Sequence, residues 1–274
     1  MALQMIENSA LRGLLESIRL VYGYDFTEYS EGSIGRRIAH FMENRKISGV
    51  DELARAILRD DGLFEQFVEE VTVTVTEMFR DPGFYKSLRE KVRARLATYP
   101  LIRVWIAGCA TGEEVYSMAI LLKEEGLLER SLIYATDINQ RSLQIAMEGI
   151  FPIGQMAAYT ANYLQSGGKG SFSDYYLAKY DGVLMDKMFR QAIVFSAHNL
   201  TTDQSFNEFQ LILCRNVLIY FNESLQNKVL RLFYESLCPF GILALGNKES
   251  LTFSDKEHNY RAIDKKEKIF VKQP

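Results

Sequence analysis

Two adjacent glutamates, Glu113 and Glu114, close a run of small residues, AGCATG at 107–112, which itself follows the apolar stretch Val104, Trp105 and Ile106. A short apolar run suits a buried strand, small residues let backbone and ligand approach closely, and acids heading an apolar-periodic segment mark a helix start. Strand, tight loop and helix together make the ligand crevice of an open α/β sheet. The loop argues against the usual anions. It has two glycines where a dinucleotide fingerprint has three, carboxylates stand where a pyrophosphate would lie, and no Lys-Ser or Lys-Thr follows Gly112 as a Walker A loop requires. A small cation fits better, and a sulfonium cofactor with an amino group is such a cation. An ordinary glycine turn capped by two glutamates is the plainer alternative.

The following segments add polar residues at strand ends. Leu132 to Ala135 form a second apolar run ending in Thr136 and Asp137, and an acid there can accept hydrogen bonds from both hydroxyls of a ribose. Asp137 could equally cap the helix that starts near Asn139. A third run, Ile193 to Phe195, leads to His198, Asn199 and Leu200. The lone histidine reads as structural, and no Cys, Asp or His neighbours suggest a metal site. A fourth run, 209–214, ends in Arg215 and Asn216, with Tyr220 five residues beyond Arg215. Three polar residues at a carboxyl strand end suggest a site.

With WIAGCATGEEVYS at 105–117, ATDIN at 135–139 and CRNVLIYF at 214–221, the chain resembles the chemotaxis receptor methyltransferase (CheR) family, over residues 11 to 272. The resemblance implies a Rossmann-like class I methyltransferase sheet with a small N-terminal all-helical domain and a small antiparallel β insertion. It implies S-adenosylmethionine as cofactor, S-adenosylhomocysteine as product, and glutamate side chains of chemoreceptors as substrate. Residue by residue, it implies a cofactor-contacting segment at Thr74, Thr76, Phe79 and Arg80, with Thr74 where many members have Asn. It also implies Gly108, Glu114, Arg215 and Asn216 around the cofactor, Asp137 at the ribose, and Asn199 with Leu200 at the adenine. Arg80 and Tyr220 would orient the incoming glutamate.

These positions need elements to hold them. Residues 9–72 carry four sets of apolar residues at spacings of three and four, broken at Gly23, Gly32, Gly49 and Gly62, and read as four short helices. Arg36, Arg37, His40, Arg45 and Lys46 make the second helix basic, a face that the resemblance assigns to docking on an acidic receptor stalk. The expected domains are 1–72 for docking and 73–274 for catalysis, with 151–190 as the insertion, which in some relatives grips a peptide tether at the receptor C-terminus. Alternating Thr and Val at 72–76 suits a strand by pattern, whereas the resemblance makes 72–85 a hinge. Strands at 242–245, 260–263 and 269–271 would complete the sheet with an antiparallel hairpin.

Composition sets the class. The chain has 274 residues, 47% of them hydrophobic, and can bury a sizeable core. Its net charge of −3 gives no nucleic-acid footprint. Three cysteines, Cys109, Cys214 and Cys238, are too few for a disulfide framework and fit a reducing cytoplasm. No secretory leader pattern opens the sequence, and no run reaches the roughly 20 apolar residues of a membrane span. Two other functions fit the same residues: a regulatory module that binds the cofactor without turnover, and a methyltransferase for small carboxylic acids. A nicotinamide dehydrogenase fits worst, for want of the third glycine.

Overall fold

The computed structural model describes residues 8–72, 74–252 and 254–274. Four helices come first: α1 (Asn8–Tyr22), α2 (Glu31–Arg45), α3 (Val50–Ile57) and α4 (Asp61–Val71). Their apolar residues share one face per helix, so Leu14, Ile18, Ile38, Phe41, Leu53, Ile57 and Phe67 meet in a single small core. The breaks have local causes. Gly23 takes φ 75 after α1, and Asp60 caps α4 by accepting from the Leu63 N–H.

Residues 74–77 belong to no strand, and Val73 lies outside the described residues. The Thr-Val alternation here does not mark a strand, because Val75 is 78% exposed and finds no sheet edge to pair with. Helix α5 (Pro82–Ser87) then passes through a π-helical stretch, Leu88–Val92, into α6 (Arg93–Leu96).

The rest alternates strand and helix: β1 (Ile102–Ala107), α7 (Glu113–Glu124), β2 (Ser131–Asp137), α8 (Gln140–Glu148), β3 (Ile150–Pro152), α9 (Met156–Gln165), β4 (Tyr176–Lys179), β5 (Gly182–Met185), β6 (Ile193–Ala197), β7 (Phe209–Cys214), α10 (Glu223–Ser236), β8 (Leu237–Leu245), β9 (Tyr260–Asp264) and β10 (Ile269–Lys272). The main sheet has seven strands in the order β6-β2-β1-β7-β8-β10-β9. Strands β6, β2, β1, β7 and β8 pair in parallel, and β10 runs antiparallel to both β8 and β9. Side chains alternate across it: Val104 and Ile106 enter one core layer, Trp105 and Ala107 the other. This is the open α/β sheet with a terminal antiparallel hairpin that the sequence implies.

A separate antiparallel sheet, β3-β5-β4, forms the insertion. The insertion also contains α9, a helix that the sequence pattern does not announce. Its buried face is Met156, Tyr159 and Tyr163, at spacings of three and four inside an otherwise weakly patterned stretch.

Strand order turns outward from β1, toward β2 on one side and β7 on the other, so the crevice opens at the carboxyl ends of these three strands. Register brings their ends level. Ala107 pairs with Thr136, Ile106 with Leu213, and Asp137 with Ala197.

A cleft at the carboxyl ends of the parallel strands

The loop between β1 and α7 is shaped by two glycines in the left-handed region. Gly108 has φ 76, and a Cβ there would stand 2.4 Å from Val217 Cγ2; Gly112 has φ 98, and a Cβ would stand 2.8 Å from Ala146 Cβ. Neither position tolerates a side chain, so the loop lies tight against its neighbours and leaves a backbone-lined cradle. The Gly108 and Cys109 N–H groups both donate to the Thr136 carbonyl, at 2.8 and 2.9 Å, tying the loop to the end of β2.

Asp137 lies under that loop. Its Oδ2 accepts from Ala110 N at 2.8 Å and its Oδ1 from Asn139 N at 2.9 Å, so the carboxylate is fixed in place while lone pairs on both oxygens remain for a ligand. Burial, the largest influence, raises its pKa above the ordinary aspartate value, and the Asn139 and Ala110 N–H groups oppose the rise. The helix cap is Asn139, which accepts from Ser142 N at 3.0 Å.

The two glutamates separate. Glu114 lines the cleft, whereas Glu113 is buried, accepts from Thr111 Oγ1 at 2.7 Å and faces Tyr159 on α9. The expectation of two carboxylates at the loop mouth is therefore corrected to one, with Asp137 and Glu77 as the other acids lining the cleft. Glu114 is also not a free anion. Arg215 Nη1 lies 2.7 Å from it, and Arg215 Nη2 lies 2.7 Å from Asp81, so one buried guanidinium joins two carboxylates. Burial acts to lower the Arg215 pKa, yet Glu114, Tyr85 and Asp81 outweigh it and hold it above the ordinary arginine value. The trio keeps one net negative charge beside the cleft, which still favours a cationic ligand end.

Asn199 and Leu200 line the cleft as expected. Asn199 Oδ1 accepts from Thr201 N and Thr201 Oγ1, at 2.9 and 2.7 Å, which leaves its amide NH₂ to donate to a base edge. His198 packs edge-on against Trp105 with its Nε2 3.2 Å from the Gln204 carbonyl, and it also lines the cleft. Among the described residues no group of three or more His, Cys, Asp or Glu side chains is placed to hold a metal ion.

The 74–80 segment is divided. Thr76 and Arg80 line the cleft, and Arg80 Nη1 donates to the Val75 carbonyl at 3.1 Å. Thr74 does not line it. Phe79, expected among the cofactor contacts, is instead fully buried at φ 54, packed against Tyr85, Tyr163 and Phe172, with its N–H held by Ser117 Oγ at 2.9 Å. An aromatic between Met78 and Arg80 goes to the core because that is where its area is removed from water.

Tyr220 and Asn216 line the cleft together with Arg215 and Gly108. The turn bearing Tyr220 is stitched to the helical module: Ser30 N donates to the Tyr220 carbonyl at 2.8 Å, and Asn222 N to the Glu28 carbonyl at 3.0 Å. The same module contributes Tyr29, Ser33 and Arg37 to the cleft wall, none of them expected from sequence as cleft residues. Arg37 donates to the Val71 carbonyl at 2.8 Å and stacks on the Tyr220 ring, while Arg45 pairs with Glu70 at 2.9 Å. The expected basic face of α2 is thus smaller. Arg36, His40 and Lys46 remain exposed, and Arg37 turns inward.

Taken together, the carboxylates of Glu77, Glu114 and Asp137, a side-chain amide and a cradle without Cβ atoms fit a nucleoside that carries a cationic group. The comparisons agree. A family model described as the CheR methyltransferase SAM binding domain matches residues 74–269, and one described as the CheR methyltransferase all-alpha domain matches residues 9–72. A Pseudomonas putida protein, Cher3, named as a methyltransferase, is 49% identical over 262 residues, covering 96% of each chain. A chemotaxis protein methyltransferase of Listeria innocua is 31% identical, covering 84% of this chain and 85% of its own. One of Salmonella typhimurium is 29% identical, covering 78% of this chain and 75% of its own.

Proposed function

The chain belongs to the CheR methyltransferase family, an S-adenosylmethionine-dependent family, and from that premise we propose that it methylates glutamate side chains of chemoreceptors to glutamate methyl esters. One observation carries the reading. A single cleft is lined by the acids Glu114 and Asp137 and also by Arg37, Arg80 and Tyr220, so it suits a cationic donor and an anionic acceptor at once.

In this reading Asp137 accepts from the ribose hydroxyls, Asn199 and Leu200 border the adenine, and Glu114, with Arg215 behind it, balances the amino end. Gly108, Asn216 and Thr76 complete the surroundings of the cofactor, and Thr74, which lies outside the cleft lining, takes no part. When bound, S-adenosylmethionine supplies an electrophilic methyl group. A substrate glutamate, of ordinary pKa about 4.3, is already ionised at neutral pH, so no residue here has to remove a proton. Arg80 can grip that carboxylate with its planar fork, and the Tyr220 hydroxyl can donate one hydrogen bond to it. Because the positive and negative charges cancel as the ester forms, a water-poor cleft favours the transition state, and alignment supplies the rest.

In this reading residues 1–72 act as the docking domain and 73–274 as the catalytic domain, with the 151–190 insertion as the grip for a receptor tether peptide. The partner is the acidic cytoplasmic stalk of a receptor, which places the enzyme in the cytoplasm. No helix among the described residues is long and apolar enough to cross a membrane. The test is incubation with methyl-labelled S-adenosylmethionine and a receptor cytoplasmic fragment, followed by mass mapping of methyl esters. Label on glutamates of the fragment supports the reading. Binding without label transfer would instead point to a regulatory module.

A further inference from the structure

Glu249 is a buried carboxylate, 4% exposed, that lies outside the cleft and takes no part in the chemistry above. Its Oε1 accepts from both Val217 N and Leu218 N at 2.8 Å, and its Oε2 accepts from Gly246 N at 2.5 Å. Val217 and Leu218 stand at the start of a one-turn 3₁₀ helix, Leu218–Tyr220, with Val217 as its N-cap, and such first N–H groups have no carbonyl before them to pair with. Glu249 caps that turn from a different loop, and charge-assisted bonds to two consecutive N–H groups fix its direction. The adjoining Asn216 is held at φ 63, and Gly246 cannot carry a Cβ, which would stand 2.8 Å from Asn216 N and 2.8 Å from Glu249 Oε2. The turn then closes on itself through Tyr220 N to Val217 O at 3.1 Å and Phe221 N to Leu218 O at 3.0 Å. Val217 is also the side chain that a Cβ at Gly108 would strike.

We propose that Glu249 is a positioning residue: it sets the turn that aims Tyr220 into the cleft and seats Val217 against the Gly108 loop. The proposal rests on the reading that Tyr220 orients the substrate glutamate. Glu249→Gln preserves size but turns one oxygen acceptor into an NH₂, which then meets a backbone N–H donor to donor.

The test compares the wild-type protein, Glu249→Gln, Tyr220→Phe and the double variant, with turnover on a receptor cytoplasmic fragment normalised to the fraction that binds S-adenosylhomocysteine. Glu249→Gln is expected to lower kcat about 10-fold, the scale of a small misplacement of a reacting group, with the KM for the fragment changed by less than about 3-fold. Adding Tyr220→Phe should then lower kcat by less than about 2-fold more, because both changes act through one group. An unaltered kcat per binding-competent molecule, or losses that multiply, overturns the proposal. If Glu249→Gln does not fold, Glu249→Asp, whose carboxylate is withdrawn by one methylene, is put through the same cycle. A second readout needs no turnover. With 3-fluorotyrosine at position 220 alone, the fluorine resonance should shift or broaden in the Glu249 variant, and an identical resonance overturns the proposal. A wild-type protein that transfers no methyl group would sink the functional reading, and the fluorine measurement would still decide the role of Glu249.

Discussion

The guanidinium carbon of Arg37 lies 4.7 Å from the centre of the Tyr220 ring, so a side chain of the N-terminal helical module rests on an aromatic that lines the cleft. The contact is supported on both sides. Arg37 is anchored on the Val71 carbonyl, and Tyr220 is anchored through its own carbonyl to Ser30 N. The helical module is therefore part of the cleft wall, and its arrangement and that of the crevice depend on one another.

Arg36 and Arg37 should accordingly behave differently. Arg37→Ala removes a cation–π contact and a hydrogen bond, each worth about 1 kcal/mol, and should lower the unfolding free energy and reduce kcat together. Arg36→Glu touches only the exposed face, and should raise the KM for the receptor fragment at low salt and lose that effect at high salt. Denaturant melts and a salt series on both variants check this. A pure KM effect at Arg37 would return it to the docking surface.

Cofactor affinity should depend on Asp137 and on its ionisation. Asp137→Asn keeps an acceptor for Ala110 or Asn139 while removing the charge, and should weaken S-adenosylhomocysteine binding by about 1 to 3 kcal/mol in calorimetry. Burial raises the Asp137 pKa, so protonation begins at a higher pH than for an ordinary aspartate, and affinity should be full above that pKa and fall as pH drops through it. The Asn variant should lack this acid limb. S-Adenosylhomocysteine should raise the melting temperature by mass action, and NAD should not.

The crevice was legible because its signal is local: an apolar run, then small residues, then acids, repeated with variation at three strand ends that the register brings level. Which way each acid points was not. Glu113 and Glu114 are neighbours about 100° apart on a helix, and only packing against α9 sends Glu113 inward. Helical phase did contain the answer for Arg37, which lies three residues after Ile34 and four before Phe41, on the flank of the buried stripe. Asp81 and Glu249 carry no motif of their own. Each acts on residues far along the chain, Asp81 on Arg215 and Glu249 on Val217 and Leu218, and such pairings emerge only when strands assemble.

Acid stability should reveal a clasp between the C-terminal hairpin and the helix before β1. Asp264 is held down at about 2 from an ordinary 3.8; burial, its largest single influence, acts the other way and is overcome by Lys91 and Ser87, with help from the Glu267 N–H. A carboxylate whose pKa is lower folded than unfolded adds stability that is present above the unfolded value and lost as pH falls toward the folded one. The contribution should therefore fade between about pH 4 and pH 2. Urea midpoints across that window should fall less steeply for Asp264→Asn than for the wild-type protein. Parallel slopes would mean that the Lys91 contact at 2.5 Å does not persist in solution.

Tyr220 offers the sharpest separation of methyl transfer from cofactor binding. Its ring is held by Arg37 and its backbone by Ser30, yet its hydroxyl makes no hydrogen bond among the described residues, so removing that oxygen should disturb little of the fold. Tyr220→Phe should keep the melting temperature and S-adenosylhomocysteine affinity nearly unchanged while slowing single-turnover methyl transfer roughly 10-fold, equivalent to about 1.4 kcal/mol of lost orientation. A tyrosine serving only the core would show the reverse, a lowered melting temperature with an unchanged rate per folded molecule. The three measurements belong on one preparation, because only their combination distinguishes a hydroxyl that aims the substrate carboxylate from one that merely fills space beside Arg37. A wild-type rate in the variant would remove Tyr220 from the mechanism, leaving Arg80 to orient the incoming glutamate.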